Sequence, residues 1–272
     1  MKIALIIPYF NAEPWLERCL KSIGSQPFTV ILVNDHSEDD GPMIATEGCM
    51  SSEDWHHLEA YDKTGVSYAR NIGIKKALEL GADYITFLDA DDELAPGAYF
   101  KIQAAICEEP DEPIIQLNHY RENRTVRFFN PRGTYWLDKL PLLFVLVWNK
   151  AFKADLFKTD DVERFAAIEF IEGLNHGEDE LFIFECLKIA RRIYCSEQIA
   201  VIHHTDNPNS LSRQTSFYDL IDEQDALLQF LLENAPYYPE EDEMYNLCEA
   251  VRQRQADLWT NAVYRRVIGG RP

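Results

Sequence analysis

Three short strand-like runs each stop at a polar turn, and that repeated transition narrows how this chain can fold. Residues 3–7 are continuously apolar, which reads as a strand covered on both faces, and they lead into Pro8-Tyr9-Phe10-Asn11. A second run over 28–33 ends in Asn34-Asp35-His36-Ser37, and a third over 84–88 runs into Asp89-Ala90-Asp91-Asp92. Helical periodicity fills the gaps. Trp15, Leu16, Cys19, Leu20 and Ile23 form one stripe, with Asn11 expected as the cap and Pro14 in the first turn. A further helix is expected from about Ser67 to Leu80, and Pro96 opens another through Ile106. Such alternation predicts βαβ units in an α/β fold, where ligands bind at the carboxyl ends of parallel strands. That edge would collect Tyr9, Asp35, Asp89 and Asp91.

The middle of the chain reads differently. Residues 113–120 and 125–129 suggest paired strands around Glu122-Asn123, and 142–148 suggest a buried strand ending at Trp148-Asn149-Lys150. Gly177-Glu178-Asp179 opens a helix carrying Leu181, Phe182, Phe184, Cys186, Leu187 and Ile189, and residues 199–203 return as a strand. From about Phe217 the pattern is helical, with a second helix expected over roughly 240–263. The glycine-rich loops of dinucleotide and P-loop sites are missing, which argues against both.

Charge narrows the partners. Acidic residues outnumber basic ones by 46 to 26, and a net charge of −20 opposes broad attraction to nucleic acid or an anionic membrane. The apolar run at the N-terminus is too short for a signal peptide, and residues 141–148 are too short to span a bilayer. The expectation is a cytoplasmic chain. The six cysteines show no metal-ligand spacing and read as reduced thiols. Near the C-terminus the sign reverses at Arg252, Arg254, Arg265, Arg266 and Arg271, either a solvated helical face or a peripheral anchor at the membrane face.

Several side chains could do chemistry. Asp89 and Asp91 are hard oxygen ligands suited to Mg²⁺ or Mn²⁺ bridging to phosphates; the alternative is an acidic helix-capping turn. Asp35 could accept hydrogen bonds from a ribose or nucleobase, and Arg70 could reach a base or phosphate. Glu178 and Asp179 lie at a helix N-terminus, which capping alone could explain, yet one could serve as a general base. Adjacent strand residues face opposite ways, so of His203 and His204 at most one is expected to face the site, as metal ligand or pyrophosphate donor. Trp148 could pack on a sugar or in the core, and Lys150 could offset phosphate charge.

Taken in order, Pro8-Tyr9-Phe10-Asn11, Val33-Asn34-Asp35, Ala69-Arg70-Asn71-Ile72-Gly73, Leu88-Asp89-Ala90-Asp91-Asp92, Trp148-Asn149-Lys150 and Gly177-Glu178-Asp179 form a recognisable set. Over about residues 1–213 the chain resembles the family 2 glycosyltransferases of the GT-A fold, especially bacterial enzymes that build capsule, exopolysaccharide or lipopolysaccharide glycans. The resemblance implies a Rossmann-like, mostly parallel central sheet flanked by helices. It divides the chain into a nucleotide-sugar-binding half (1–110), an acceptor-binding and catalytic half (111–213) and a C-terminal helical extension (214–272).

The resemblance also implies roles. The backbone at Pro8 and Tyr9, the Asp35 carboxylate and Arg70 would hold the nucleobase, usually uracil. Asp89 would face the ribose and metal, and Asp91 would coordinate Mn²⁺ or Mg²⁺ on the diphosphate. Asp179 matches the catalytic base. The histidine pair before Asn209-Ser210-Leu211-Ser212 matches a segment that closes over the diphosphate: His203 is assigned to the metal and His204 to the donor, with the choice between them open. Direct attack by an acceptor hydroxyl would invert the anomeric centre of a UDP-sugar. The expected acceptor is a saccharide or a lipid-linked oligosaccharide. The turn Ser37-Glu38-Asp39-Asp40 departs from the family's small, serine-rich pattern. Two other readings stand beside this one: a nucleotidyltransferase, which would release pyrophosphate, and a non-catalytic binding homologue, which would bind without turnover.

Overall fold

A computed structural model gives the structure of residues 1–50, 52–121, 126–127, 131–136, 146–158, 167–174, 176–208, 210, 217–234, 245, 247–249 and 251–257. Strand β1 (Ile3–Tyr9) pairs in parallel with β2 (Thr29–Asn34) and β4 (Tyr84–Phe87), and β2 pairs in parallel with β3 (Trp55–Glu59). Beyond β4 the sheet becomes mixed. Strand β9 (Lys150–Lys153) is antiparallel to both β4 and β6 (Ile114–Arg121), and β10 (Arg192–His203) runs parallel to β6. Strand β5 (Glu93–Leu94) pairs antiparallel to β10, completing the order β3-β2-β1-β4-β9-β6-β10-β5. Short strands β7 (Val126–Arg127) and β8 (Gly133–Trp136) pair with β6 and β10.

Two successive antiparallel steps restore the strand direction. The carboxyl ends of β1, β2, β4, β6 and β10 therefore share one edge, and β9 begins there. Lys150 accordingly opens a strand at that edge instead of closing one; residues 142–145 of the expected strand lie outside the described residues.

Each face of the sheet has its own core. Ile3, Leu5 and Ile7 pack with α1 (Glu13–Ile23) and α4 (Ala98–Glu108), while Ala4 and Ile6 pack with α3 (Val66–Glu79) and α5 (Glu178–Ala190). This is the two-sided burial that a continuous apolar run requires. Helix α6 (Phe217–Asn234) adds Leu220, Leu227, Phe230 and Leu231 to the α3–α5 side. Gly73 lets α3 approach β1 closely, since a Cβ there would lie 2.4 Å from Ile6 Cγ2. Gly73→Ala should cost about 1–3 kcal/mol by overpacking, read as a lower urea midpoint. An unchanged midpoint would mean that α3 can shift freely.

Some expectations need correction. Asn11 does not cap α1: it adopts a left-handed φ of 47°, and its Oδ1 accepts from Glu38 N at 2.8 Å. Asp39 supplies the cap from the neighbouring loop, its carboxylate accepting from Glu13 N at 2.8 Å and Gly41 N at 3.0 Å. The acidic turn after Asp35 thus serves the backbone of two helices, α1 and α2 (Gly41–Cys49). Strands β6 and β7 pair as expected, although the Glu122-Asn123 turn lies outside the described residues. Strand β10 begins at Arg192, well before the expected start. All six cysteines are free, and Cys107 is exposed. Among the described residues, no helix is long and apolar enough to cross a membrane.

Candidate active site

Parallel pairing of β1, β2 and β4 delivers Tyr9, Asp35 and Asp89 to the shared edge. Asp35 N donates to Tyr9 O at 2.8 Å, which ties the two loops together. The Asp35 carboxylate is buried and accepts from Gly65 N at 3.0 and 2.9 Å, holding the turn before α3, where Gly65 has φ 114°. The Tyr9 hydroxyl points away along the sheet to His57 Nε2, 2.7 Å distant, and burial with Glu59 nearby pushes its pKa up. Pro8 is the residue before it in β1, buried throughout.

Arg70 is the hub. It is 3% exposed, on the second turn of α3, over the face of Phe170 at 5.2 Å. Its Nη1 donates to Asp179 Oδ1 at 2.7 Å and Glu178 Oε1 at 3.1 Å, and its Nη2 to Asp89 Oδ1 at 3.2 Å. Burial acts to lower its pKa, but Asp179, Asp89 and Glu178 raise it, so it stays charged. One guanidinium cannot balance three carboxylates. Desolvation, opposed by Arg70, pushes Asp89 up to about 7 and Asp179 up to about 6, though a third of the Asp89 side-chain surface still meets water. Such a site holds a proton near neutral pH, or accepts a cation.

Asp179 is further fixed by Val147 N, which donates to Oδ2 at 3.2 Å. Lys150 lies behind it, wholly buried, with Nζ donating to Leu146 O at 2.6 Å and Asn149 Oδ1 at 3.0 Å. Burial pushes Lys150 down to about 7, and its charge acts on Asp179 through the interior.

Asp91 is half-buried, with Oδ2 accepting from Asn207 Nδ2 at 2.8 Å. Arg18 holds the same loop, donating to Asp91 O at 2.6 Å and Asp206 Oδ2 at 2.8 Å. Both histidines engage this loop. His203 Nδ1 lies 3.1 Å from each Asp92 oxygen, its ring stacked on Trp148 at 5.3 Å. His204 N donates to Asp92 Oδ1 at 2.7 Å, and its Nε2 lies 2.7 Å from Glu93 Oε1. The hydrogen bond that its Nδ1–H donates to the Asp92 carboxylate pushes His203 up, against its burial. Of the late segment 209–212, only Ser210 is among the described residues.

The residues fit a divalent cation of the kind completed by substrate. Asp89 and Asp91 offer carboxylate oxygens at one loop. Among the described residues no group of three or more His, Cys, Asp or Glu forms a cage. Magnesium typically takes one or two carboxylates and draws its remaining ligands from substrate phosphates and water.

Four further residues shape the site; sequence reading singles out Asp92 in the acidic turn and names Asn71 only within its motif, and gives no site role to Phe170 or Arg254. Asn71 grips the 167–174 segment twice, Nδ2 donating to Phe170 O at 3.0 Å and Oδ1 accepting from Phe170 N at 2.8 Å. Phe170, stacked on Phe182 at 3.8 Å, forms the floor under Arg70. Asp92, wholly buried, anchors the histidine pair. Arg254, read as surface charge, instead turns inward to Glu180 and Glu223. Asn71 and Asp92 carried a signal, as parts of the Ala69-Arg70-Asn71 and Asp89-Ala90-Asp91-Asp92 runs; Phe170 and the inward turn of Arg254 depend on which distant segment packs against them.

Known proteins share this architecture. Residues 4–166 match glycosyl transferase family 2. An uncharacterized glycosyltransferase of Escherichia coli, YibD, is 26% identical over 98% of this chain and 87% of its own length. The chain spans 62%, 23% and 26% of three further relatives. In fold it is similar to S. aureus TarS 1–349 in complex with UDP-GlcNAc, with a TM-score of 0.76 and 20% identity, covering 98% of this chain and 74% of that one. It is also similar to the mannosyltransferase PcManGT from Pyrobaculum calidifontis in complex with GDP-Man and Mn²⁺, with a TM-score of 0.61 and 16% identity, covering 100% and 76%.

Proposed function

The chain belongs to glycosyl transferase family 2, and on that premise we propose that it is a metal-dependent, inverting enzyme moving a sugar from a UDP-sugar to a hydroxyl of a surface glycan or lipid-linked saccharide. The observation that carries this reading is the Arg70 hub, which links Asp89 of the donor loop to Asp179. The TarS and PcManGT complexes, with UDP-GlcNAc and with GDP-Man and Mn²⁺, support the donor class and the cation for this chain.

The residues divide the work. Asp35 and the Pro8–Tyr9 backbone would receive the nucleoside, and Arg70 would keep the donor and acceptor sides in register. Asp89 and Asp91, with His203 as a further candidate, would hold Mn²⁺ or Mg²⁺, and His204 would steady the donor side through the same loop. The bound cation would stabilise the negative charge on the departing diphosphate. Asp179 would accept the proton of the attacking hydroxyl. Its pKa near 6 leaves it ionised at neutral pH yet basic enough to take a proton. Attack opposite the diphosphate needs that one base, whereas a glycosidase needs two carboxyl groups flanking the bond.

The test is nucleoside diphosphate release from a panel of nucleotide sugars, with Mn²⁺, Mg²⁺ or EDTA. Cation-dependent release that falls at least about a hundredfold in Asp91→Ala is the expected result. Pyrophosphate release would instead favour a nucleotidyltransferase. Cation-dependent binding without turnover, with a broad set of acceptors present, would favour a non-catalytic homologue.

A further inference from the structure

The C-terminal extension reaches the first turn of α5 through buried charge. Gly177 starts that turn at φ 77°, and a Cβ there would lie 2.4 Å from Glu223 Cγ. Glu223, on α6, is wholly buried and bonds His176 Nδ1 through Oε2. Its Oε1 accepts from Arg254 Nη2 at 3.2 Å, and Arg254 Nε donates to Glu180 Oε2 at 2.8 Å. Glu180 is itself 5% exposed and directly follows Asp179.

Successive residues on a helix diverge by about 100°. The first turn of α5 is therefore held from two sides. Arg70 grips Glu178 and Asp179 from the sheet side, and Arg254 grips Glu180 from the extension. Two buried carboxylates, Glu180 and Glu223, face one guanidinium and one imidazole. Without Arg254, the two carboxyl groups would either repel each other or share a proton beside the Gly177 turn, and either rearrangement removes the contact that holds that turn. Asp179 moves with it.

We propose that Arg254 and Glu223 are positioning residues for sugar transfer: they fix the Gly177 turn so that Asp179 meets the acceptor hydroxyl. This rests on the reading of Asp179 as the base. It makes the extension part of the catalytic apparatus, although neither residue touches the reacting atoms.

The experiment compares wild type, Arg254→Met, Arg254→Lys and Glu223→Gln on the donor that wild type turns over best, with thermal melts to measure the folded fraction. A misplaced base costs turnover while leaving donor binding intact. Arg254→Met should lower kcat per folded molecule about 30-fold with donor KM within about twofold. Arg254→Lys keeps the charge but not the two-nitrogen bridge from Nε and Nη2, so it should recover part of the loss, with kcat at least about threefold above Arg254→Met. Glu223→Gln preserves shape, should lower kcat about tenfold, and decides the matter if Arg254→Met does not fold. Unchanged kcat in Arg254→Met and Glu223→Gln overturns the inference alone, as does a kcat loss that vanishes once corrected for folded fraction or that Lys does not relieve. No turnover of any donor by wild type overturns the underlying reading, and this inference with it.

Discussion

Asp179→Asn is expected to lower kcat about a thousandfold while donor KM stays within about threefold, the size of effect general-base removal produces. Asparagine is nearly isosteric, and its amide oxygen can still accept from Arg70 Nη1, which lies 2.7 Å from Asp179 Oδ1. What it cannot do is take the acceptor's proton. The pH profile provides a second reading of the same group. Desolvation raises Asp179 to about 6 against the pull of Arg70, and the ionised form is the active one. Activity should therefore rise through about pH 6 and be lost below it. A variant within tenfold of wild type, or a wild-type profile flat from pH 5 to 8, would remove Asp179 from the base role.

Arg70→Met should cost about 3–5 kcal/mol of stability at pH 8, because removing one partner of a buried ionic cluster strands the others. Asp89, Glu178 and Asp179 would face one another without their counter-charge. The sign of the pH dependence follows from the raised carboxyls. Asp89 and Asp179 titrate above their ordinary range, so their protonated forms suit the fold. That contribution is full below about pH 4 and is lost as pH rises through about 6 and 7. Without Arg70 both groups move higher still. The deficit of the variant should then shrink by more than half between pH 8 and pH 5, measured by urea unfolding at each pH. An equal deficit at both would assign the loss to packing on Phe170 instead.

Strands β1, β2, β4 and β6 and the acidic loop after β4 were legible because their signals are local. An apolar run covered on both faces is visible in five consecutive residues, and Asp89 and Asp91 announce themselves by where that run stops. Strand β3 and helix α2 were not foreseen. Strand β3 reads Trp-His-His-Leu-Glu and is half-buried along its length, so neither apolar run nor clean alternation marks it. Cap choice was also beyond reach: Asn11 had the right chemistry, but Asp39 reaches Glu13 N from another loop.

Local periodicity thus carried the α/β class, the shared carboxyl edge and the identity of most acidic groups at it. Only packing decided how those groups meet. Arg70 joins Asp89 to Asp179, partners 19 and 109 residues away, because α3 and α5 lie on the same face of the sheet. Lys150 went to the interior because an antiparallel strand starts there, and Arg254 turned inward because the extension folds back onto α5. Hydrophobic periodicity follows from neighbours along the chain, whereas a buried charge settles wherever the finished fold supplies its counter-charge.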